Sequence, residues 1–362
     1  MKDFNNRRIP HSFFGAEWDR LLPERQYHLS RKDDYPHESD YRGLGRTFPH
    51  PINGKLEKPG QAFFEAFSNT PFGDSMLSQF AREVIDNEGL GRDEFTDILI
   101  IGFSSTDKIG HLYGAFSQEM QDQILRLDRI LEELFSYLNK KVGLSKVAIV
   151  LTADHGSTAI PEYLAEHGVS AGRIDPKTGS NHASGDLLKS TVDHSLDKQF
   201  GEADWITAFN KPNLYLNLEA ITSKNLSNEE VEKTAAEALK SIKGIRRAYT
   251  RSEILANSLF NDSTGLKFSH QFHPKRSGEL MIANEPYYIL GGYDDTLDQG
   301  TGHETGYRYD IHIPLLFYGK SIRPGNYRIP VIMNDIAPTV AGILNSAVPP
   351  GSSGKVIHQI FR

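Results

Sequence analysis

TDILIIGFSSTDKIGH, at residues 96–111, and KVAIVLTADHGS, at residues 146–157, are the two segments around which the rest of this chain is organised. Each contains a short, nearly continuous apolar run rich in β-branched residues, at 98–101 in the first and 147–151 in the second. Such runs are typical of strands that are buried on both faces of a parallel sheet. Acidic and imidazole side chains follow each run, so both predicted strands end in groups that can do chemistry.

The segment between the two runs is predicted to be one long helix. Ser117 is suited to its N-cap and Gly143 to its end. Strand, helix and strand of this length form a βαβ unit, whose right-handed crossover makes the strands parallel and brings their carboxyl ends to one edge of the sheet. The apolar side chains that define one face of the helix, at spacings of three and four residues, are Met120, Ile124, Leu127, Leu131, Leu134 and Leu138.

Two pairs of polar side chains follow the predicted strand ends, Asp107 with His111 and Asp154 with His155. Ligands of open α/β sheets bind outside the carboxyl ends of the strands, and imidazole nitrogen with carboxylate oxygen suits zinc or a similar first-row ion. Each pair alone has a structural alternative, in which Asp107 caps a turn, His111 is a hydrogen-bonded histidine and residues 154–156 are an ordinary strand exit. Two such pairs at one edge favour a metal site.

A fifth candidate ligand, His303, lies in the glycine-rich stretch GTGHETG before a predicted strand at 311–318. Glycine lets the backbone approach a ligand closely, although a loop histidine without a metal is the alternative. Five ligands exceed the three or four that one zinc ion takes from a protein, so the sequence predicts two ions. Paired ions about 3.5–4 Å apart suit in-line displacement at phosphorus. His182 and His194, in a polar segment at 160–204 that is predicted to be loop near the site, are expected to be solvated.

Composition excludes several classes of function. The formal net charge of the 362 residues is −7, and Lys and Arg are scattered rather than clustered, so nucleic acid is not an expected partner. No apolar run approaches the roughly 18 residues that span a bilayer, and no secretory signal is recognisable, so the chain is expected to be soluble with no membrane partner. The absence of cysteine excludes disulfides, thiolate metal ligands and a cysteine nucleophile.

The chain as a whole is predicted to be an α/β, three-layer sandwich with a mostly parallel central sheet and a small α+β cap insertion. Residues 1–95 are predicted to be an irregular and helical segment covering the site, with a helix at 70–89 and no strand of its own. Residues 96–204 and 291–362 would form the metal-binding core, closed by a helix in NDIAPTVAGILN at 334–345. Residues 205–290, with a capping box that begins at Ser227, would form the cap.

As a set, these motifs resemble the alkaline phosphatase superfamily. The pattern consists of Asp-x-x-x-His after one strand, Asp-His-Gly after the next, and a later Gly-Thr-Gly-His that precedes a closing strand and an Asp-Ile-Ala-Pro-Thr helix. It is most similar to periplasmic bacterial phosphate monoesterases of the PafA type, which are near relatives of the type I phosphodiesterases and nucleotide pyrophosphatases. The resemblance runs over essentially the whole chain, including TPFGDSMLSQFA at 70–81.

The resemblance implies two zinc ions, a small-molecule phosphate ester as substrate and a periplasmic or extracytoplasmic location. It assigns Asp107, His111 and His303 to one zinc, and Asp154 and His155 to the other, together with an Asp after the first strand of the family's fold. In the family, that Asp, a threonine nucleophile and a Lys-x-Arg pair that binds phosphate all precede the segment that matches the start of this chain.

The catalytic nucleophile is therefore expected upstream of Met1, and none is identified within the 362 residues. The first five residues, MKDFN, are typical of the interior of a longer sequence. The chain is accordingly expected to be a C-terminal portion of the catalytic domain. Thr47 and Thr70, two threonines that come before the predicted strand at 98–101, are expected to be turn residues rather than substitutes for the nucleophile.

Two alternatives to a phosphate monoesterase stay open. A phosphodiesterase or nucleotide pyrophosphatase of the same superfamily shares the metal ligands and differs in groups that are not recognisable here. The chain also fits a metal-binding pseudoenzyme that another polypeptide completes. A sulfatase is disfavoured, because that branch needs a modified Cys or Ser nucleophile in a motif of its own.

Overall fold

The computed structural model describes residues 1–174, 186–290, 299–303 and 305–362. In these ranges the α-helices are α1 (Lys2–Asn6), α2 (Gln61–Ser68), α3 (Pro71–Asn87), α4 (Ser105–Tyr113), α5 (Gln118–Lys141), α6 (Pro161–Glu166), α7 (Asp186–Phe200), α8 (Leu218–Ser223), α9 (Asn228–Lys240), α10 (Arg251–Leu255), α11 (Ser263–Gln271), α12 (Arg308–Ile311) and α13 (Ile336–Ile343). The strands are β1 (Ala16–Trp18), β2 (His50–Ile52), β3 (Ile149–Thr152), β4 (Gly172–Ile174), β5 (Ile206–Asn210), β6 (Asn213–Leu216), β7 (Ile245–Thr250), β8 (Leu280–Asn284), β9 (Tyr288–Leu290) and β10 (Leu315–Tyr318). None of the described helices is both long and apolar enough to cross a membrane.

The N-terminal region packs directly against α4. Its β1 and β2 form a short antiparallel pair, with Trp18 opposite His50, so the prediction that residues 1–95 contain no strand is wrong. Trp18 is fully buried in a cluster of apolar side chains that includes Ile109 and Leu112 of α4. This region therefore supplies the buried surface on which the helix that carries Asp107 and His111 rests.

The long helix predicted after residue 117 is confirmed as α5, and the Ser117 hydroxyl accepts the Met120 N–H at 3.0 Å. Its buried face, however, is largely polar. Asp122 is fully buried, where its carboxylate accepts the Trp18 indole N–H at 2.7 Å, and the equally buried Glu119 lies 3.2 Å from His50 Nε2. The apolar stripe from which the helix was predicted is only partly covered, and Ile124 is 50% exposed.

The predicted pairing of two parallel strands at 98–101 and 147–151 is not formed. The second of these is β3, which pairs antiparallel with β10, so that Ile149 lies opposite Tyr318. Residues 98–101 form no strand, and Ile98 and Ile100 are 65% and 89% exposed. A strand needs a neighbour for its N–H and C=O groups, and no described strand borders this segment. The strand predicted at 311–318 starts later, at β10, because α12 comes first.

A four-stranded antiparallel sheet has the order β5-β6-β8-β7. This sheet and the helices packed on it form a lobe with a hydrophobic core of its own. The Ser227 hydroxyl accepts the Glu230 N–H at 3.1 Å and starts α9, as predicted. Helix α7 packs on α9 through Leu188, Val192 and Leu196, so the prediction of loop throughout 160–204 is wrong. Because α7 and β4 also contribute to this core, the boundary of the cap at residue 205 stays a prediction.

The helices, the parallel pair β4–β9 and the three antiparallel sheets of the described residues together confirm the α/β class. The predicted helices at 70–89 and 334–345 are present as α3 and α13. His194 lies exposed on α7, as expected of a solvated histidine, and His182 lies outside the described residues.

Candidate metal centre

Helix α4 presents Asp107 and His111 on one face, because residues four apart on a helix are neighbours. Its first turn is anchored by the Ser105 N–H, which donates to Asp74 Oδ1 at 3.1 Å in a buried setting. Its opposite face is fully buried at Ile109. The helix is therefore held at its start and along its length, and the two candidate ligands lie on its accessible side.

The turn that carries His303 is fastened to the end of α4 by a pair of hydrogen bonds. The Thr301 N–H donates to the His111 carbonyl at 2.8 Å, and His111 Nδ1 donates to the Thr301 carbonyl, also at 2.8 Å. Gly300 has a φ of +70°, and a Cβ at this position would lie 2.1 Å from the His111 carbonyl oxygen. Only glycine fits there, which explains the glycine that precedes Thr301 and His303.

Three side-chain atoms of Asp107, His111 and His303 form a compact triangle. Asp107 Oδ1 lies 3.4 Å from His111 Nε2 and 3.3 Å from His303 Nε2, and the two imidazole nitrogens lie 3.0 Å apart. Ligand atoms about 2.0–2.1 Å from a tetrahedral zinc ion are separated from one another by about 3.3–3.4 Å. The triangle therefore has the size and the donor atoms of three ligands of one such ion.

Asp154 and His155 follow β3, and His155 joins the same cluster. His155 Nε2 lies 3.8 Å from Asp107 Oδ1 and 3.6 Å from Asp154 Oδ2. The ring of His155 stacks on that of His303, with centroids 3.3 Å apart. His155 thus reaches the triangle, whereas Asp154 contacts only its chain neighbour His155 among the candidate ligands and its side chain is 86% exposed.

Backbone carbonyls select the tautomers of two of the histidines. His111 Nδ1 faces the Thr301 carbonyl, and His155 Nδ1 faces the Gly156 carbonyl at 2.9 Å. A carbonyl oxygen only accepts, so each Nδ1 carries a proton, and in the neutral form of either ring the lone pair lies on Nε2. The Nε2 atoms point into the cluster, and a carbonyl on the other ring nitrogen is the usual support of a metal-binding histidine.

Electrostatics within the cluster favour the metal-binding forms of Asp107 and His111. Burial alone would raise the pKa of Asp107, but the hydrogen bond from His303 and the nearby imidazoles hold it below its usual range. Burial lowers the pKa of His111, which keeps that ring neutral. Burial also opposes the charged form of His303, but the hydrogen bond and charge of Asp107 outweigh this effect and raise its pKa. A raised pKa disfavours the neutral form of His303, so a metal ion would compete with a proton at this ring.

Two residues that support the site were missed by the sequence reasoning. The buried Asp310 accepts the Thr305 N–H at 2.9 Å and its hydroxyl at 2.6 Å, and its own carbonyl accepts the Gly156 N–H at 2.6 Å. Asp310 thus connects the segment after His303 to the segment after His155. Arg173, on β4, donates to the Gly300 carbonyl at 2.8 Å. Neither residue lies in a motif, and their roles depend on contacts between distant parts of the chain.

The two threonines that were weighed as nucleophiles lie in bends, outside helices and strands. Thr70 is fully buried just before α3, and its hydroxyl donates to the Phe67 carbonyl at 2.8 Å. Thr47 is exposed. Neither has a described contact with the five candidate ligands.

The position of Met1 bears on the nucleophile that is expected upstream of it. Met1 precedes the short helix α1 and is 84% exposed. The 362 residues begin at Met1, and the nucleophile is expected before it. The location of the nucleophile therefore stays a prediction.

Comparison with known proteins places the chain in a family. The family model of the type I phosphodiesterases and nucleotide pyrophosphatases matches residues 16–308, so the chain belongs to that family. Within the alkaline phosphatase superfamily it is a member of the PafA type.

Three similar proteins illustrate the relationship. A protein of Myroides odoratus named calcium-transporting ATPase is 31% identical over 99% of this chain and 63% of its own length. Alkaline phosphatase PafA of Elizabethkingia meningoseptica is 31% identical over 100% of this chain and 63% of its own length. A crystal structure of wild-type PafA has a TM-score of 0.85 at 30% identity, covering all of this chain and 66% of that one. The fold is therefore shared, and the chain spans less than two thirds of the length of the first two relatives.

Proposed function

We propose that the protein hydrolyses phosphate monoesters by a two-zinc mechanism of the alkaline phosphatase type, in the periplasm. The triangle of Asp107, His111 and His303, with edges of 3.0–3.4 Å, is the observation that carries the proposal. One zinc would be held there, and the second by Asp154 and His155 with a further ligand from outside these 362 residues. Alkaline phosphatases among the similar proteins support the choice of substrate class.

The residues of this chain prepare the centre before substrate arrives. Asp107 stays ionised and places its negative charge between the three imidazoles, which compensates part of the charge of the ions. His111 and His155 keep their Nε2 lone pairs turned inward, because carbonyls hold the proton on Nδ1. Zinc in such a site polarises the phosphoryl oxygens and stabilises charge on the attacking and leaving oxygens. The exposed carboxylate of Asp154 lies on the solvent side, where a substrate phosphate has access.

The attacking hydroxyl is proposed to come from chain upstream of Met1. Thr70 is fully buried and its hydroxyl is committed to the Phe67 carbonyl, so it is not free to act as a nucleophile. The similar proteins exceed this chain by more than a third of their own length. Efficient turnover needs an oriented nucleophile and cationic groups on the phosphoryl oxygens, and each accounts for several kcal/mol of the barrier.

A phosphodiesterase is the second candidate, because the matching family is named for phosphodiesterases and nucleotide pyrophosphatases. The metal ligands would be the same, and the preference for a monoester or a diester would depend on groups around the phosphate. Parallel assays with p-nitrophenyl phosphate and bis(p-nitrophenyl) phosphate separate the two candidates. The proposal expects the monoester to be the better substrate.

The activity test compares this chain with a form that is extended upstream of Met1 by the segment present in its longer relatives. We expect negligible p-nitrophenyl phosphate hydrolysis by the 362 residues, and strong zinc-dependent hydrolysis by the extended protein. In the extended protein, Asp154→Ala should abolish activity and Thr70→Ala should leave it nearly intact. Turnover by the unextended chain at an ordinary enzyme rate, on the order of 10 per second, together with its loss in Thr70→Ala, would show that the nucleophile has been misplaced.

A further inference from the structure

Arg173 is a buried cation that joins β4 to the turn before His303. Its side chain is only 3% exposed. Nε donates to Glu162 Oε1 at 2.7 Å, and Nη2 donates to Glu162 Oε2 at 2.9 Å, so the carboxylate of α6 holds the guanidinium in a two-point pair. The same Nη2 also donates to the Gly300 carbonyl at 2.8 Å. One rigid planar group therefore links α6, β4 and the turn.

That turn determines where His303 lies. On one side it is fastened to α4 through Thr301 and His111, and the Gly300 N–H donates to the His37 carbonyl at 2.7 Å. Arg173 is the charged group that binds the carbonyl of the same Gly300. Its hydrogen bond fixes the orientation of the peptide group that connects Gly300 to Thr301, two residues before the imidazole of His303.

We propose that Arg173, oriented by Glu162, is a positioning residue that holds the turn at 300–303 and thereby sets the affinity of the metal centre at His303. It does not touch the metal or the substrate. The planar guanidinium can satisfy a carboxylate at two points and a carbonyl at once, which a lysine ammonium cannot do with the same geometry. The inference has two parts. The affinity half, that Arg173 sets the affinity for zinc, rests on the proposed zinc centre. The mechanical half, that Arg173 holds the turn at 300–303, does not.

The mechanical half is tested without metal, by hydrogen exchange at the amides of Gly300 and Thr301. Arg173→Met removes the guanidinium group but keeps a side chain of similar length. We expect both amides to exchange at least several-fold faster in this variant than in the parent chain. Arg247→Met is the matched control, because Arg247 also pairs with a glutamate, Glu253, at 2.7 Å, but within the lobe of the four-stranded sheet. It should leave these two amides unchanged. Unchanged exchange in a folded Arg173→Met protein would overturn the inference.

The affinity half is tested by zinc titration against a chromophoric chelator. Groups that orient metal ligands typically change affinity by about 10–100-fold, so Arg173→Met should weaken the tighter site by a factor in that range. Arg173→Lys should recover part of the loss, and Arg247→Met should stay within about twofold of the parent. Glu162→Gln, which keeps the side-chain shape and one acceptor, serves as a milder second variant and should weaken binding by a smaller factor.

A double-mutant comparison separates positioning from general destabilisation. If Arg173 acts through His303, Arg173→Met should cause no further loss of zinc affinity in a His303→Ala background. The same loss in both backgrounds would overturn the inference, because it would show that Arg173 acts on the fold at large. A parent chain that binds no zinc would contradict the two-zinc function and the affinity half with it, while the exchange result would still decide whether Arg173 holds the turn.

Discussion

The two halves of the candidate metal centre are built in different ways. Asp107 and His111 lie on α4, which has a buried face. His303 lies on a turn that hydrogen bonds connect to α4, to His37 and to Arg173. Asp154 and His155 follow β3, whose described partner is β10 alone, and the Asp154 side chain is 86% exposed. A helix and a braced turn preset the distances between ligands before a metal binds. The strand end leaves one carboxylate exposed, so the second half must be ordered by further contacts when a metal binds.

The largest expected consequence is a difference in zinc affinity between the halves. His111→Ala should weaken the tighter site by more than about 100-fold, because loss of a group outside the ligand set already costs about 10–100-fold. Asp154→Ala should change that tighter site by less than about threefold and remove only weaker binding. Zinc content after dialysis and competition titration measure both effects. Equal losses in the two variants would contradict the unequal construction of the centre.

The exposed apolar segment at 98–101, which precedes α4, should govern association of the chain. Residues 98–101 form no strand, and exposed apolar side chains of this kind recruit other chains. We expect the 362-residue chain to self-associate at micromolar concentration, and Ile100→Lys to shift it toward the monomer, because Ile100 is 89% exposed. Light scattering measures the mass of each species.

Phe260→Lys is the matched control for that experiment. Phe260 is also a large exposed side chain, at 71%, but it lies in the other lobe and should not affect association. A monodisperse parent that melts cooperatively would show that the exposed segment is not an association surface.

The smallest expected effect is the dependence of the free energy of unfolding on pH that arises from the buried carboxyl group of Glu38. Burial first, and the nearby Glu119 carboxylate second, raise the pKa of Glu38 to about 8 from an ordinary value of 4.5. The folded state then keeps a proton that the unfolded state releases, so the free energy of unfolding falls as the pH rises from about 4.5 to about 8. The buried Arg31 compensates one of the two carboxylates, but not both.

Glu38→Gln should reduce this loss of stability. A shift of one pKa unit corresponds to about 1.4 kcal/mol, so we expect the variant to gain at least about 1 kcal/mol at pH 8 relative to pH 5. Chemical unfolding at the two pH values measures the difference. A parent whose stability increases steadily between pH 5 and pH 8 would contradict the raised pKa of Glu38.

The elements that the sequence predicted well depend on short-range patterns. Helix α5 follows from the spacing of its apolar side chains and from the Ser117 cap, both of which lie within the helix or directly before it. The five candidate ligands were found because each follows an apolar run or sits in a glycine-rich turn. The structure brings Asp107, His111 and His303 together with His155 beside them, and the role of all five residues as metal ligands stays a prediction.

The features that the sequence did not predict depend on long-range partners. The segment at 98–101 has the composition of a buried strand but lacks a neighbouring strand among the described residues. The buried polar face of α5 could not be predicted from the sequence, because Asp122 and Glu119 contact Trp18 and His50 in a distant part of the chain. Arg173 carries no local signal, since its partner Gly300 also lies far away in the sequence. Helix α7 does carry a signal, the four-residue spacing of Leu188, Val192 and Leu196, which the polar residues around it masked.

The most direct test of the metal centre is the zinc X-ray absorption spectrum of the chain loaded with one equivalent of zinc. We expect a shell of nitrogen and oxygen at about 2.0–2.1 Å with scattering from two imidazoles, and loss of one imidazole in His303→Ala. Asp154→Ala should leave the spectrum unchanged. A folded sample that retains no zinc, or a spectrum that His303→Ala does not alter, would contradict the assignment of Asp107, His111 and His303 to one ion.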